Sequence, residues 1–505
     1  MRNKLNRRDF LKLSSLLPLA LFAPPINRLQ DSSIPNILVI IFDAFSARNI
    51  PFHGYPRNTM PFTSKLIERA TVYHNHFAGG NFTSPGTASL LTGTYPWTNR
   101  AFKMLGEVVD SFVDRNLFSL FEPYYRLSYT HNPLVTVHLK QFFDHIDYLK
   151  RLEDLTFGKN EWIFKIFAND EDTAGVSWLQ MTDRATDGSA NSLLLSTIHE
   201  LFGIPHSGSF PRGLPDLERG IYLLLEDAID WTVSTLRDTP QPFLGYFHYL
   251  PPHDPYHTRK DFIDTFKDDG YEAIRKPHRF AEFFNRAHLH TPEMLDEVRV
   301  WYDEFILYVD AEFNRLFTQL ERDGILDNTW VIVTSDHGEL MERGKIEHNI
   351  PVLYLPLVQI PLLIFPPGQK ERQDITTPTS AVDILPTLLH LTGQPIPSWC
   401  EGEVLPPYRQ SPVNSQRRIF ALEAQKSNLT GPLNPYTAMI VKDPYKLTFY
   451  SGYEELEDQP KHFDLFDIIN DPEEMDDLTS SHRETAEELL AELQSVIRIA
   501  NRPYL

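Results

Sequence analysis

Two apolar runs with polar chemistry at their ends frame this chain. Ile37-Leu38-Val39-Ile40-Ile41-Phe42 is rich in β-branched residues and stops at Asp43. Trp330-Val331-Ile332-Val333-Thr334 stops at Ser335-Asp336-His337-Gly338-Glu339. Runs that are apolar without alternation suit strands buried on both faces, as in parallel sheets covered by helices. Open α/β sheets bind ligands beyond the carboxyl ends of such strands. Asp43 is therefore a candidate metal ligand, with an N-cap for the next segment as the plain alternative. The Asp336-His337 pair sets a hard donor beside a borderline one.

Other segments fit the same frame. The run 243–249 reads as a strand leading into Leu250-Pro251-Pro252-His253-Asp254-Pro255-Tyr256, a loop whose prolines fence His253 and mark it as a site candidate. Strands are also expected at 71–77, at 127–129 with His131 just beyond, and at 361–365. Helices are expected at 60–69 and 381–390, with Gly393 as the stop of the latter. Trp301, Phe305, Tyr308, Phe313, Leu316 and Leu320 recur at helical spacing, so 298–322 reads as an amphipathic helix closed by Asp323-Gly324. Residues 188–210 read as a surface excursion. The predicted class is α/β, a large doubly wound mixed sheet flanked by helices.

A Pro-rich shift over 395–412 marks a boundary. Short strands at 418–423, 438–441 and 445–450 and an acidic helix over 483–500 follow it. The expected organisation is a catalytic domain over 31–400 and a small C-terminal α+β domain over 401–505, which suits a chain of 505 residues.

Gly80-Asn81-Phe82-Thr83-Ser84-Pro85-Gly86-Thr87-Ala88-Ser89-Leu90-Leu91-Thr92-Gly93 passes from a polar, Gly-rich loop into a helix-forming run. A helix N-terminus of this kind favours an anion through its free N–H groups and dipole. Thr83 is the candidate nucleophile; ordinary capping is the other reading. Arg343, Lys345 and His348 can neutralise an anionic substrate, though each alone reads more readily as a surface charge.

The net charge of −21 argues against a nucleic-acid partner, which a basic face would serve. It leaves an anionic substrate open, because a metal ion reverses the local sign. The one cysteine, Cys400, excludes an intramolecular disulfide and a Cys-cluster metal site. At the N-terminus, Asn6-Arg7-Arg8-Asp9-Phe10-Leu11-Lys12 precedes an apolar stretch over 13–24. Residues 1–30 thus read as a twin-arginine export signal, addressed to the twin-arginine machinery and giving a periplasmic or extracellular protein. No small-x-small triplet marks a cleavage site, so anchoring by an uncleaved signal, with contact at the membrane surface, stays open.

Taken together, the motifs resemble the sulfatase family of the alkaline-phosphatase-like superfamily over nearly the whole mature chain. Asn36 to Asp43 is similar to that family's opening strand and metal aspartate. Ser89-Leu90-Leu91-Thr92-Gly93-Thr94-Tyr95-Pro96 is similar to its post-nucleophile helix, and Pro252-His253-Asp254-Pro255-Tyr256 to its substrate-side histidine loop. Leu326-Asp327-Asn328-Thr329 with Thr334-Ser335-Asp336-His337-Gly338-Glu339 resembles its second metal motif. Val382 to Thr387, and Leu465-Phe466-Asp467 with Asp471-Pro472 and Glu474, resemble later landmarks.

The resemblance implies one divalent cation (Mn, Mg, Ca or Zn) held by Asp43, Thr83, Asp336 and His337. His253 would contact substrate and act in catalysis, with His348, Lys345 and Arg343 binding substrate. Sulfatases oxidise a Cys or Ser two residues before the proline to formylglycine. Here that position is Thr83, which would give a ketone, so formylglycine is not expected. The arginine of that motif is Thr87, and the second acid after Asp43 is Ala44. The resemblance to threonine-using phosphoglycerol and phosphoethanolamine transferases therefore implies a phosphate ester, of a small molecule, glycan or lipid. A sulfuric ester hydrolase with an unusual nucleophile and a catalytically weak binding protein are the alternatives.

Overall fold

The computed structural model describes residues 34–150, 208–213, 224–278, 280, 284, 289–409, 417–457 and 462–505. The export signal and most of the surface excursion expected at 188–210 lie outside the described residues.

The strand Asn36–Phe42 occupies the middle of an eight-stranded sheet. It runs parallel to Phe243–Tyr249 on one side and to Thr329–Thr334 on the other. Tyr125–Thr130 and then Tyr148–Lys150 extend the first side in parallel. On the second side Leu362–Phe365 is antiparallel to both Thr329–Thr334 and Thr71–Tyr73, and Gln373–Ile375 forms the edge. The sheet is therefore mixed, as expected.

Burial of both faces explains the unbroken apolar run. Leu38, Ile40 and Phe42 pack with Tyr302, Phe305, Val309 and Phe313 of the helix Pro292–Arg322 and with Ile229 and Val233 of Leu225–Asp238. Ile37, Val39 and Ile41 point the other way, into a core with Leu90 and Leu91 of Thr83–Thr92 and with Leu385, Leu388 and Leu389 of Ile384–Leu391. Alternate residues face opposite helical layers, as the two-residue repeat of a strand dictates.

Three elements differ from the sequence expectation. The long helix begins at Pro292, because Thr291 caps it through Met294 N and proline suits the first helical position. The helix expected at 60–69 shrinks to Thr63–Leu66 and a 3-10 turn over Ile67–Arg69. Asp310 on the neighbouring helix accepts the Phe62 and Thr63 N–H groups and caps it from outside. The strand expected at 71–77 splits into Thr71–Tyr73 and His76–Phe77, which pair with different partners.

The C-terminal part is a four-stranded antiparallel sheet, in order Ile419–Glu423, Tyr436–Lys442, Tyr445–Ser451 and Phe463–Asp467. Helix Arg483–Asn501 covers one face with Ala486, Leu489, Leu493 and Ile497. The other face, through Ala421, Met439 and Val441, packs on Leu353, Leu355 and Leu357. A buried ion pair links the two parts: Lys446 Nζ lies 2.6 Å from Glu474, whose other oxygen accepts Leu355 N at 2.7 Å. Among the described residues no helix is long and apolar enough to cross a membrane.

Candidate active site

Four adjacent strands deliver the site. Asp43 follows Asn36–Phe42, Asp336 and His337 follow Thr329–Thr334, His248 lies near the end of Phe243–Tyr249, and Asn132 lies just past Tyr125–Thr130. Thr83 comes from the facing helix, as its first residue. Phe82 at the cap position is extended and makes no side-chain cap, so the helix start is not occupied by its own chain there.

The side chains converge on one point. Thr83 Oγ1 lies 3.4 Å from His337 Nε2. That nitrogen is 3.3 Å from Asp43 Oδ1 and 3.7 Å from Asp336 Oδ2. Asp43 Oδ1 and Asp336 Oδ2 are buried without a hydrogen-bond partner, an arrangement that demands compensation. Donors around a four-coordinate cation with bonds of about 2.0–2.2 Å stand about 3.3–3.6 Å apart. The observed spacings fit that edge length, and the oxygen and imidazole donor set suits a divalent cation.

The charges agree. Burial would raise Asp43, but contacts with His248 and His337 hold it well below the usual carboxylate range. Asp336 is raised by burial and by the charge of Asp43. Burial would lower His337, but Asp336 and Asp43 outweigh it and lift the imidazole to about 9. Two acids crowded in a dry site favour a positive charge between them, here the proton on His337, which a cation would replace.

Two residues with weaker signals in the sequence complete the cluster. Asn132 Nδ2 donates to Asp43 Oδ2 at 2.5 Å and reaches Thr83 Oγ1 at 3.4 Å, while its carbonyl caps Leu134 N. The Asn-Pro pair just past the expected strand at 127–129 is the one local sign of it. His248 Nε2 lies 3.0 Å from Asp43 Oδ2 and 3.6 Å from Asp336 Oδ2. In the sequence it sits inside an apolar run, and only its pairing with Ile41 brings it to the site.

His253 and His348 form a second layer. Their rings are 4.8 Å apart, and the His348 ring is 4.5 Å from that of His337. His253 Nδ1 is held by Asp254 at 3.0 Å, and His348 Nδ1 by Glu339 at 3.1 Å. Burial would lower His253, but Asp254 outweighs it and raises the imidazole well above its usual range; Asp254 itself, raised by burial, is drawn down to about 2 by His253. His253, Asp254 and His348 stand close enough to share an ion. A protonated His253 instead suits an anion or a leaving oxygen.

Arg343 is a correction. Its guanidinium is buried and donates to the carbonyls of Pro277, Glu473 and Glu474, stacked over Tyr354, because the residue turns away at a positive φ of 54°. It braces the C-terminal segment rather than a substrate. Lys345 is buried, with its ammonium 3.8 Å from Glu347.

The large mixed α/β sheet followed by a small antiparallel sheet matches the fold of solved sulfatase structures. Residues 35–394 match the family model described as Sulfatase, and the chain belongs to the sulfatase family and is a hydrolase of that family. Its members are metal-dependent. The chain is 23% identical over 502 residues to arylsulfatase K of Canis lupus familiaris, covering 92% of this chain and 82% of that protein. It is 28% identical over 288 residues to an endo-4-O-sulfatase of Bacteroides thetaiotaomicron, covering 54% of each. Among solved structures it is similar to the phosphonate monoester hydrolase of Agrobacterium radiobacter, with a TM-score of 0.65, 19% identity, and 92% and 96% of the two chains covered.

Proposed function

We propose that this protein cleaves or transfers a phosphate ester through Thr83. The observation that carries the reading is the seat of Thr83 Oγ1, 3.4 Å from His337 Nε2 and held by Asn132 beside Asp43. Asp43, Thr83, Asp336 and His337 would hold one divalent cation, which when bound polarises the ester and lowers the pKa of a hydroxyl. Thr83 gives its hydroxyl proton to solvent, Oγ1 attacks phosphorus, and the ester P–O bond breaks. Protonated His253 gives its proton to the leaving oxygen, and His348 holds an oxygen of the anion. Neutral His253 then takes the proton of water or an acceptor hydroxyl, whose oxygen attacks phosphorus and breaks the Thr83 Oγ1–P bond, and Thr83 regains a proton from solvent.

The side-chain identity supports phosphorus over sulfur. A formylglycine hydrate has a second hydroxyl and can expel its ester by returning to an aldehyde. A threonine ester has none, so the second step must break the bond at the transferred atom. A sulfuric ester is the second reading, favoured by the named activities of the sulfatase relatives. The substrate class is a small-molecule, glycan or lipid ester, met after export through the twin-arginine route.

The test is turnover of p-nitrophenyl phosphate, a p-nitrophenyl phosphodiester and p-nitrophenyl sulfate with Mn²⁺, Mg²⁺, Ca²⁺ and Zn²⁺, for wild type and Thr83→Ala. Phosphoester turnover lost in the variant is the expected result. Sulfate turnover above both phosphate activities would select the second reading. Full activity in Thr83→Ala would remove Thr83 as nucleophile. No turnover and no bound metal would leave a binding protein.

A further inference from the structure

Ala44 directly follows Asp43 and stands in the left-handed region, at a φ of 54°. A residue with a β-carbon avoids that region, and alanine lacks the amide or carboxyl with which asparagine and aspartate settle there. Ala44 is fully buried in the turn that leaves the central strand, so neighbouring groups must hold its conformation. One hydroxyl grips the turn at two points. Tyr302 of the long helix donates its hydroxyl proton to the Ala44 carbonyl at 2.6 Å, and the same oxygen accepts the Ser46 N–H at 3.0 Å. Between these two, the Phe45 N–H donates to Ser335 Oγ at 2.9 Å, and the Ser335 hydroxyl donates to the His337 carbonyl at 2.6 Å. The Ala44 N–H itself reaches Asp336 Oδ1 at 3.4 Å.

The turn therefore laces the segment after Asp43 to the segment that carries Asp336 and His337. If Ala44 relaxed to an ordinary negative φ, the peptide group between Asp43 and Ala44 would reorient and its N–H would leave Asp336. Packing alone does not call for a tyrosine at 302. Its ring is fully buried among Leu38, Ile40 and Phe42, and meets Tyr256 of the His253 loop at 5.4 Å and 77°. A phenylalanine would fill that space as well. What the hydroxyl adds is a donor and an acceptor, both of them used on the turn.

We infer that Tyr302 is a positioning residue for the metal centre: its hydroxyl keeps the turn after Asp43 left-handed and so holds Asp43 facing Asp336 and His337. This role rests on the metal centre of the proposed function and deepens it by naming what keeps two buried acids together. Partners outside the ligand set orient the ligands, and their loss weakens metal binding without removing a ligand.

The experiment is equilibrium dialysis of Mn²⁺ and Zn²⁺ against the full-length protein as wild type, Tyr302→Phe, Ala44→Gly and the double variant, with kcat and KM on p-nitrophenyl phosphate beside it. Tyr302→Phe keeps the ring and loses only the hydroxyl. It should weaken metal binding by about tenfold and lower kcat more than it raises KM. Glycine occupies the left-handed region freely, so Ala44→Gly should restore about fivefold of the affinity lost in Tyr302→Phe and change the wild type much less. Unchanged metal affinity in Tyr302→Phe overturns the inference. So does an equal effect of Ala44→Gly with and without the hydroxyl, since Tyr302 would then act apart from the turn. Where Tyr302→Phe fails to fold, the double variant decides: a folded, metal-binding protein supports the role, and failure of both overturns it, because the hydroxyl would then serve the fold as a whole. Each overturning result leaves the metal centre standing, whereas failure of the wild type to bind either ion would overturn both.

Discussion

A β-carbon added to Gly86 would stand 2.1 Å from the carbonyl oxygen of Asp336. The first turn of the helix that begins at Thr83 is thus pressed directly onto the strand end that carries Asp336 and His337. Gly86→Ala must push the two apart. Overpacking of this kind costs about 1–3 kcal/mol, and a shift of about 1 Å at reacting groups costs about 100-fold in rate. Steady-state kinetics and thermal melting should show both losses, with Gly208→Ala, whose added carbon meets nothing within 4 Å, as the unaffected control.

Asn132 ties Thr83 to Asp43. Asn132→Ala removes the bonds to Asp43 and Thr83 and also the cap on Leu134. The cap accounts for about 1 kcal/mol of stability. The turnover number should fall by about 10-fold to 100-fold, at saturating metal, because the Thr83 hydroxyl loses its orientation.

The pH profile should report His253. Its pKa is raised by Asp254, so the protonated form needed for the leaving oxygen is present at neutral pH and is lost as pH rises through the raised value. Asp254→Asn withdraws that support. The alkaline limb of kcat should then move to lower pH, while the acidic limb stays in place. An unmoved alkaline limb would exclude His253 as the acid.

Metal affinity should rise with pH. His337 in the metal-free protein titrates at about 9, so near neutrality a cation must displace its proton. Below about 9 the affinity should increase about tenfold per pH unit for one displaced proton, and then level off. Calorimetry in two buffers of different ionisation enthalpy counts the proton released.

Stability should depend sharply on the Lys446–Glu474 pair. Lys446→Met leaves Glu474 as a buried, unpaired charge, which costs about 3–5 kcal/mol. A double variant, Lys446→Met with Glu474→Gln, should recover part of that loss in urea unfolding.

Much of the fold and of the site is legible in the amino-acid sequence, for a physical reason. Strands buried on both faces announce themselves as unbroken apolar runs, and their ends place Asp43, Asp336 and His337. His248 escapes notice because a polar residue one position before a strand's end looks like any other alternation. Its importance comes from the neighbouring strands, which no local pattern encodes. Arg343 misleads for the opposite reason: it is close to the site in sequence, but a left-handed backbone turn sends its guanidinium to the carbonyls of a distant segment. The start of the long helix is set by Thr291-Pro292, a cap that lies outside the apolar stripe and so is missed by periodicity alone.

The central strand Asn36–Phe42 has consequences for how the molecule is made. Its two neighbours begin at residues 243 and 329. During synthesis the first strand leaves the ribosome long before either partner exists, and it carries an apolar surface on both sides. Closure of the sheet, and with it the meeting of Asp43 with Asp336 and His337, waits until most of the chain has emerged. Assembly through such distant pairings is slow and exposes sticky intermediates. The newborn chain therefore needs shelter before it needs substrate.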